Sequence, residues 1–205
     1  MNSFAQSAVR ACRLGLYLVL VLGGRTAAAQ QVRVTLDPAE TQINISVHDM
    51  HGGVHGTFKL KSGSVTFDRA TGAASGEIVV DATSGVTGND TRDRKMKDEV
   101  LESQRYPEII FVPTRITGDI PAQGSSNVQV QGRFRIHGAS HDITLTAPIQ
   151  VDGEKLKGTA SFVVPYQSWG MKNPSVLFLR VDGKAEISLT ASGRISIVAG
   201  GNSAH

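Results

Sequence analysis

Cysteine is almost missing from the chain. Of 205 residues only Cys12 carries a thiol, and it lies in an N-terminal stretch that the sequence marks for removal. A cysteine nucleophile, thiolate-bound zinc and an iron–sulfur cluster are thereby excluded. No disulfide can staple the fold, so an ordinary apolar core must hold it. Aromatic residues are also scarce, at 5%. An interior built from Val, Ile, Leu and Ala follows. No Lys/Arg-rich block stands in the sequence, which argues against a nucleic-acid partner. No G-x-S-x-G elbow is present for a serine hydrolase. Gly124-Ser125-Ser126 precedes a strand pattern rather than a helix, so it is no phosphate loop. The acids fall in turns or between apolar positions, where they cannot converge as a glycosidase pair.

What the N-terminus does carry is a basic start (Arg10, Arg13), an apolar run from Leu14 to Leu22, and Ala27-Ala28-Ala29 ahead of Gln30. This is the pattern of a cleaved secretory signal peptide. A membrane anchor is the competing reading, but the run is about half the ~20 residues a spanning helix needs, and Arg25 interrupts its far end. Cleavage removes three of the 21 basic residues and none of the 18 acids, leaving a neutral mature chain. The division expected is a signal peptide over 1–29, one domain over 30–195 and a flexible tail over 196–205. The periplasm is the expected location, with no spanning segment after cleavage.

Period-two alternation dominates the rest. Ile43, Ile45 and Val47 alternate with Asn44 and Ser46, and Phe58 and Leu60 with Thr57, Lys59 and Lys61. The pattern continues through Val65 and Phe67, Ile78 and Val80, Ile109 and Phe111, and from Val128 to Ile136. It returns from Ile143 to Val151, from Leu156 to Val164, at Leu177 and Leu179, and at Ile187 and Leu189. Each such segment reads as a strand with one wet and one buried face. Turn signals stand between them at Ala70-Thr71-Gly72, Pro121 to Ser126, His137-Gly138-Ala139, Asp152-Gly153 and Asp182-Gly183. Short links between consecutive strands imply an antiparallel meander of about eight strands, closed as a barrel or stacked as a sandwich. The barrel is preferred because closure removes exposed edges.

One segment departs from alternation. Asn89 to Ser103 reads as a short helix with Asn89 or Asp90 as cap, Met96 and Val100 on one face, and Pro107 beyond its end. It either lids the barrel or crosses over it with a solvated face.

The strongest enzyme-like signal is His48, His51 and His55 with Asp49 between them. Three imidazoles and a carboxylate can hold zinc and an open water position. Gly52 and Gly53 forbid the helical H-E-x-x-H arrangement, and with Val47 inward His48 faces out, so surface histidines in a turn are favoured over a metal site. Arg92, Arg94, Lys95 and Lys97 are matched by Asp90, Asp93, Asp98 and Glu99, the pattern of a solvated face. At a barrel mouth, a basic residue there can instead pair with an anionic head group. Gly138 to His141 reads as a turn with a polar tip, and Arg133, Arg135 and His137 as outward-facing. The lone Trp169, beside Gly170, plugs a barrel end or faces a ligand.

Four separated pieces now stand in order: Val54-His55-Gly56-Thr57-Phe58; Asn89 to Leu101 followed by Tyr106-Pro107-Glu108-Ile109-Ile110-Phe111; Val130 to Gly138; and Tyr166-Gln167-Ser168-Trp169-Gly170-Met171. Together they resemble the YceI-like family of exported lipid- or polyisoprenoid-binding proteins, from about Thr35 to Ala191. The resemblance implies a lipocalin-like antiparallel barrel of about eight strands with one short helix inserted, all-β in class. It implies a carrier, not an enzyme, for a polyisoprenoid, isoprenoid quinone or fatty-acyl lipid, with no cofactor. Ile45, Phe58, Phe67, Ile78, Phe111, Phe134, Phe162 and Leu179 are then expected to line the cavity, with His48, His51, Arg92, Arg94 and Trp169 at its mouth. Three rival readings remain: a fully packed core without a cavity, a metal-dependent hydrolase on His48, His51 and His55, and a non-catalytic envelope stress or interaction module. A homodimer is left open.

Overall fold

Alternation becomes wall. In the computed structural model, which describes residues 30–49, 52–175 and 181–198, nine strands carry the chain: β1 (Gln31–Leu36), β2 (Gln42–Asp49), β3 (Gly52–Asp68), β4 (Ala74–Val86), β5 (Glu108–Thr117), β6 (Gln123–Ile136), β7 (Ala139–Asp152), β8 (Lys155–Val164) and β9 (Ala185–Val198). From β2 to β9 each strand pairs antiparallel with the next, and β9 pairs back onto β2, so the meander closes. β1 and β2 both lie between β3 and β9, one below the other. Val32 meets Phe67 and Ile197, whereas Ile43 meets Phe58 and Leu189. They are two pieces of one interrupted wall strand, and nine strands thus fill the eight positions of a closed barrel.

The interruption at 37–41 is satisfied locally. The Asp37 N–H donates to Ser192 O (2.8 Å), and the buried Thr41 hydroxyl stands 3.4 Å from both the carbonyl and the N–H of Ser192. Backbone groups that lose their ladder partner inside a wall must find another, and here one threonine answers for the break.

Several expectations are corrected. The segments around Phe58 and Phe67 form one strand of 17 residues, bent by register shifts against β4 at Thr57/Lys59 and Leu60/Ser62. The turn expected over Pro121 to Ser126 lies earlier, because the chain reverses over 118–122 with Gly118 at φ 110° and β6 starts at Gln123. β9 runs on to Val198, past the boundary expected at 195, since Val198 pairs with Gln31. The strand expected at Leu177 and Leu179 lies outside the described residues, within the long β8–β9 connection.

The helix forms as α1 (Asp90–Lys95), and Asn89 caps it by accepting the Arg92 N–H at 3.0 Å. It continues into a π-helical turn, Met96–Val100, closed by the Leu101 N–H donating to Met96 O. The wider turn brings Val100 and Leu101 into the barrel together, both buried. Among the described residues no helix is long and apolar enough to cross a membrane.

The two barrel ends differ. One carries the tight links β3–β4 and β7–β8 and the β5–β6 loop, with Ile120, Val32, Phe67, Val128, Val151 and Ile195 packed as a floor. The other carries the α1 crossover, the β6–β7 turn and the long β8–β9 connection.

Candidate functional site

Above the floor, inward side chains do not fill the barrel. A cavity of about 230 Å³ is lined almost wholly by aliphatic and aromatic groups from every position of the wall. Ile45, Phe58, Phe67, Ile78, Phe111, Phe134 and Phe162 all border it. Leu179, grouped with them from the sequence, lies outside the described residues. A second space of about 380 Å³ sits beneath α1 and shares Ile45, Phe58, Phe134 and Ile187 with the first. It adds Met96, Val100, Leu101, Tyr166 and Met171, and at its rim Thr87, Asn89, Arg92 and Lys95. The two adjoin across those four side chains, the lower one apolar throughout and the upper one polar only at the α1 rim.

α1 and the start of the β8–β9 connection form the lid over that rim. Asp93, although charged, is buried and anchors α1 to the end of β4, accepting from the Thr87 N–H (2.8 Å) and hydroxyl (2.5 Å). The Lys95 ammonium donates to Pro174 O at 3.0 Å and Lys172 pairs with Glu99 at 2.5 Å, tying lid helix to lid loop. Under the loop Tyr166 donates its phenol to Asp182 O, and burial pushes that phenol up from its ordinary pKa.

The expected mouth residues separate. Arg92 borders the upper space, with Nε donating to the Thr87 hydroxyl (2.7 Å) and an Nη to Thr87 O (2.9 Å). Arg94 is exposed and borders neither space. His48 is exposed, on the outer face where Val47 inward puts it. His55, opposite Ser46, shares that outer face, and His51 lies outside the described residues. Among the described residues no three His, Cys, Asp or Glu side chains gather as a metal site. Val86 and Val163 are exposed valines of a shallow outer groove over β2, β3, β8 and β9, whose mostly apolar surface is interrupted by Asn44, Ser46, Thr57, Ser161 and Ser188.

Two histidines stand where the sequence did not put them. His137, expected outward, holds a left-handed backbone (φ 50°) with Gly138 (φ 76°) in the two-residue β6–β7 turn, the pattern of a type I′ hairpin. Its ring tilts against Tyr106 with centroids 4.9 Å apart, and its Nε2 lies 3.2 Å from Glu102 without hydrogen-bond geometry. His141 is not a turn tip but a strand residue directly opposite Phe134, and it therefore faces inward. Its ring lies flat on Trp169, with centroids 3.8 Å apart and planes within 5°. Trp169 in turn packs on Phe134 at 6.0 Å. Stepping by two from Ile143 and Leu145 points to His141, so the inward face was readable; its partner in the distant loop was not.

A closed up-and-down barrel with an apolar lumen and a helical lid defines the lipocalin-like architecture. The YceI-like domain family matches residues 34–193, and the chain belongs to that family. Protein YceI of Escherichia coli O17:K52:H18 is 23% identical over 145 residues, covering 69% of this chain and 73% of the relative. A UPF0312 protein of Pseudomonas putida W619 is 28% identical over 138 residues, covering 63% and 69%. Among solved structures, a polyisoprenoid binding domain from Saccharophagus degradans implicated in plant cell wall breakdown matches with a TM-score of 0.65 at 16% identity, over 80% of this chain and 98% of that one. Burkholderia cenocepacia BcnA matches with a TM-score of 0.62 at 17% identity, over 77% and 98%. At such identities these structures support the fold.

Proposed function

We propose that the protein is an exported, non-catalytic carrier that holds one long apolar chain, polyisoprenoid or fatty-acyl, in the barrel lumen. Export rests on the leader at 1–29, and the periplasm is the location it implies. The observation that carries the reading is the pair of adjoining unfilled spaces inside the barrel, apolar from the floor to the α1 rim. The space beneath α1, about 380 Å³, falls in the range of small-molecule sites, which runs from about 300 to 1,000 Å³, and the lower cavity of about 230 Å³ adds to it. Burying roughly 300 Å² of chain surface is worth about 7 kcal/mol before the costs of association, so affinity needs few polar contacts.

Titration of a bound fluorescent apolar probe with a prenyl alcohol tests this. The wild-type protein is expected to release the probe, and Ala191→Phe, which fills the lumen from β9, is expected to bind the alcohol at least tenfold more weakly while keeping its strand circular dichroism. Equal binding by the variant would place the ligand elsewhere.

A further inference from the structure

The barrel wall is not evenly laced. β6 and β7 pair from Gln123–Asp152 to Ile136–Ala139, and β8 and β9 from Lys155–Arg194 to Val164–Ala185. Between β7 and β8, as between β4 and β5, only four pairs are in register, here from Asp152–Lys155 to Ile149–Gly158. Beyond them, residues 139–148 of β7 and 159–164 of β8 share no ladder. The pairing stops beside Pro148, which has no N–H to donate. The lower cavity reaches the bottom of this seam at Thr159 on β8, although the alternation places that residue outward, and nearer the top it is bordered by Phe134 and Ile143, the neighbours behind which His141 stands. At the seam's upper end the β8–β9 connection crosses over, and Trp169 lies flat on His141.

His141 occupies the inward position next above Ile143, which lines the lumen. Its Nε2 is buried and has no hydrogen-bond partner among the described residues. A buried imidazole nitrogen left unpaired is costly, and natural structures retain one where a ligand, ion or water completes it. The cations of the α1 rim are in a different condition, since Arg92 is engaged with Thr87 and Lys95 with Pro174.

We propose that the seam between β7 and β8 receives the polar end of the carried chain. His141 presents Nε2 to a hydroxyl or carboxyl group there, and Trp169 holds that imidazole in place. The inference rests on the carrier reading and adds to it the class of ligand: a single apolar chain ending in an oxygen function, with its head at the seam rather than under α1. His141 is on this account a specificity-determining residue.

The test compares hexadecanol and hexadecanoic acid with hexadecane as displacers of a bound anilinonaphthalene probe, in the wild-type protein, His141→Phe and Arg92→Ala. Phenylalanine keeps a ring for Trp169 to stack on and removes the nitrogen. The expected result is that the preference for the oxygenated chains over hexadecane falls about tenfold in His141→Phe, the effect of one lost buried hydrogen bond. Hexadecane binding should stay within twofold, which also serves as the folding control, and Arg92→Ala should keep the preference. Loss of all three chains alike in His141→Phe would make His141 a packing residue and overturn the proposal. So would an unchanged preference in that variant, or its disappearance in Arg92→Ala. Binding of no chain by the wild-type protein would overturn the carrier reading together with this one.

Discussion

Gly132 has no side chain because another residue uses the space. A Cβ there would stand 2.7 Å from the Phe111 ring and 2.5 Å from Val112 O. A backbone oxygen cannot swing aside, so Gly132→Ala must shift β5 against β6, with an expected loss of about 2 kcal/mol. Thermal denaturation reads it as a lower Tm, and an unchanged Tm would mean the wall yields freely. Charge is set residue by residue as well. The Thr83 hydroxyl, donating to Asp81 at 2.6 Å, does most to hold the Asp81 carboxyl below the usual range, with the Thr83 N–H and Lys61 and Lys59 adding to it. Asp68 is held down chiefly by the Thr71 N–H and Glu99 chiefly by its hydrogen bond with Lys172. A carboxyl whose pKa is lower folded than unfolded stabilises the fold above its unfolded value, and that contribution is lost as pH falls through the folded value. Urea denaturation is therefore expected to give stability that changes little from these groups at neutral pH and declines below about pH 4, less steeply in Asp81→Asn.

The lid depends on Asp93. One carboxylate oxygen accepts both the N–H and the hydroxyl of Thr87, and no helix as short as α1 stands without tertiary support. Asp93→Ala should cost about 1 to 3 kcal/mol, because it leaves two half-buried Thr87 donors without their acceptor at once. It should also speed release of a bound probe in stopped flow, with little change in the rest of the barrel. Unaltered release would show that the lid does not control exchange. Strands from β2 to β9 were legible in large part because alternation over a buried face runs through each, although bulges interrupt it in β3 and β5. β1 was not, although Val32, Val34 and Leu36 alternate, because the run is short and follows directly on the leader. That two histidine-bearing segments lie at the lid end was not legible either. His137 packs on Tyr106 from a left-handed turn backbone, and His141 meets Trp169 across a seam whose existence depends on a ladder stopping beside Pro148. Periodicity reports which residues share a face; it carries nothing about where two neighbouring strands part.

At the scale of the molecule, closure and emptiness belong together. An eight-position barrel has an interior just wide enough for side chains to fill, and large inward residues would fill it. Here Ala147, Ala191 and Gly158 stand among the branched residues of the wall, and the aromatic rings crowd toward one another, Phe134 edge-on to Phe162 at 5.6 Å. The scarcity of aromatics read from the sequence thus leaves space inside the barrel, and on the carrier reading apolar burial is the main source of affinity. The floor packed around Val32 and Phe67 closes one end, which leaves the lid end as the way in for a chain on the carrier reading. The measurement that bears most directly on the carrier reading is organic extraction of the protein purified from the cells that make it, followed by mass spectrometry. The prediction is one long-chain, oxygen-terminated lipid in near-equal proportion to protein. An extract without lipid, from a protein that also fails to take up added prenyl or acyl chains, would contradict it.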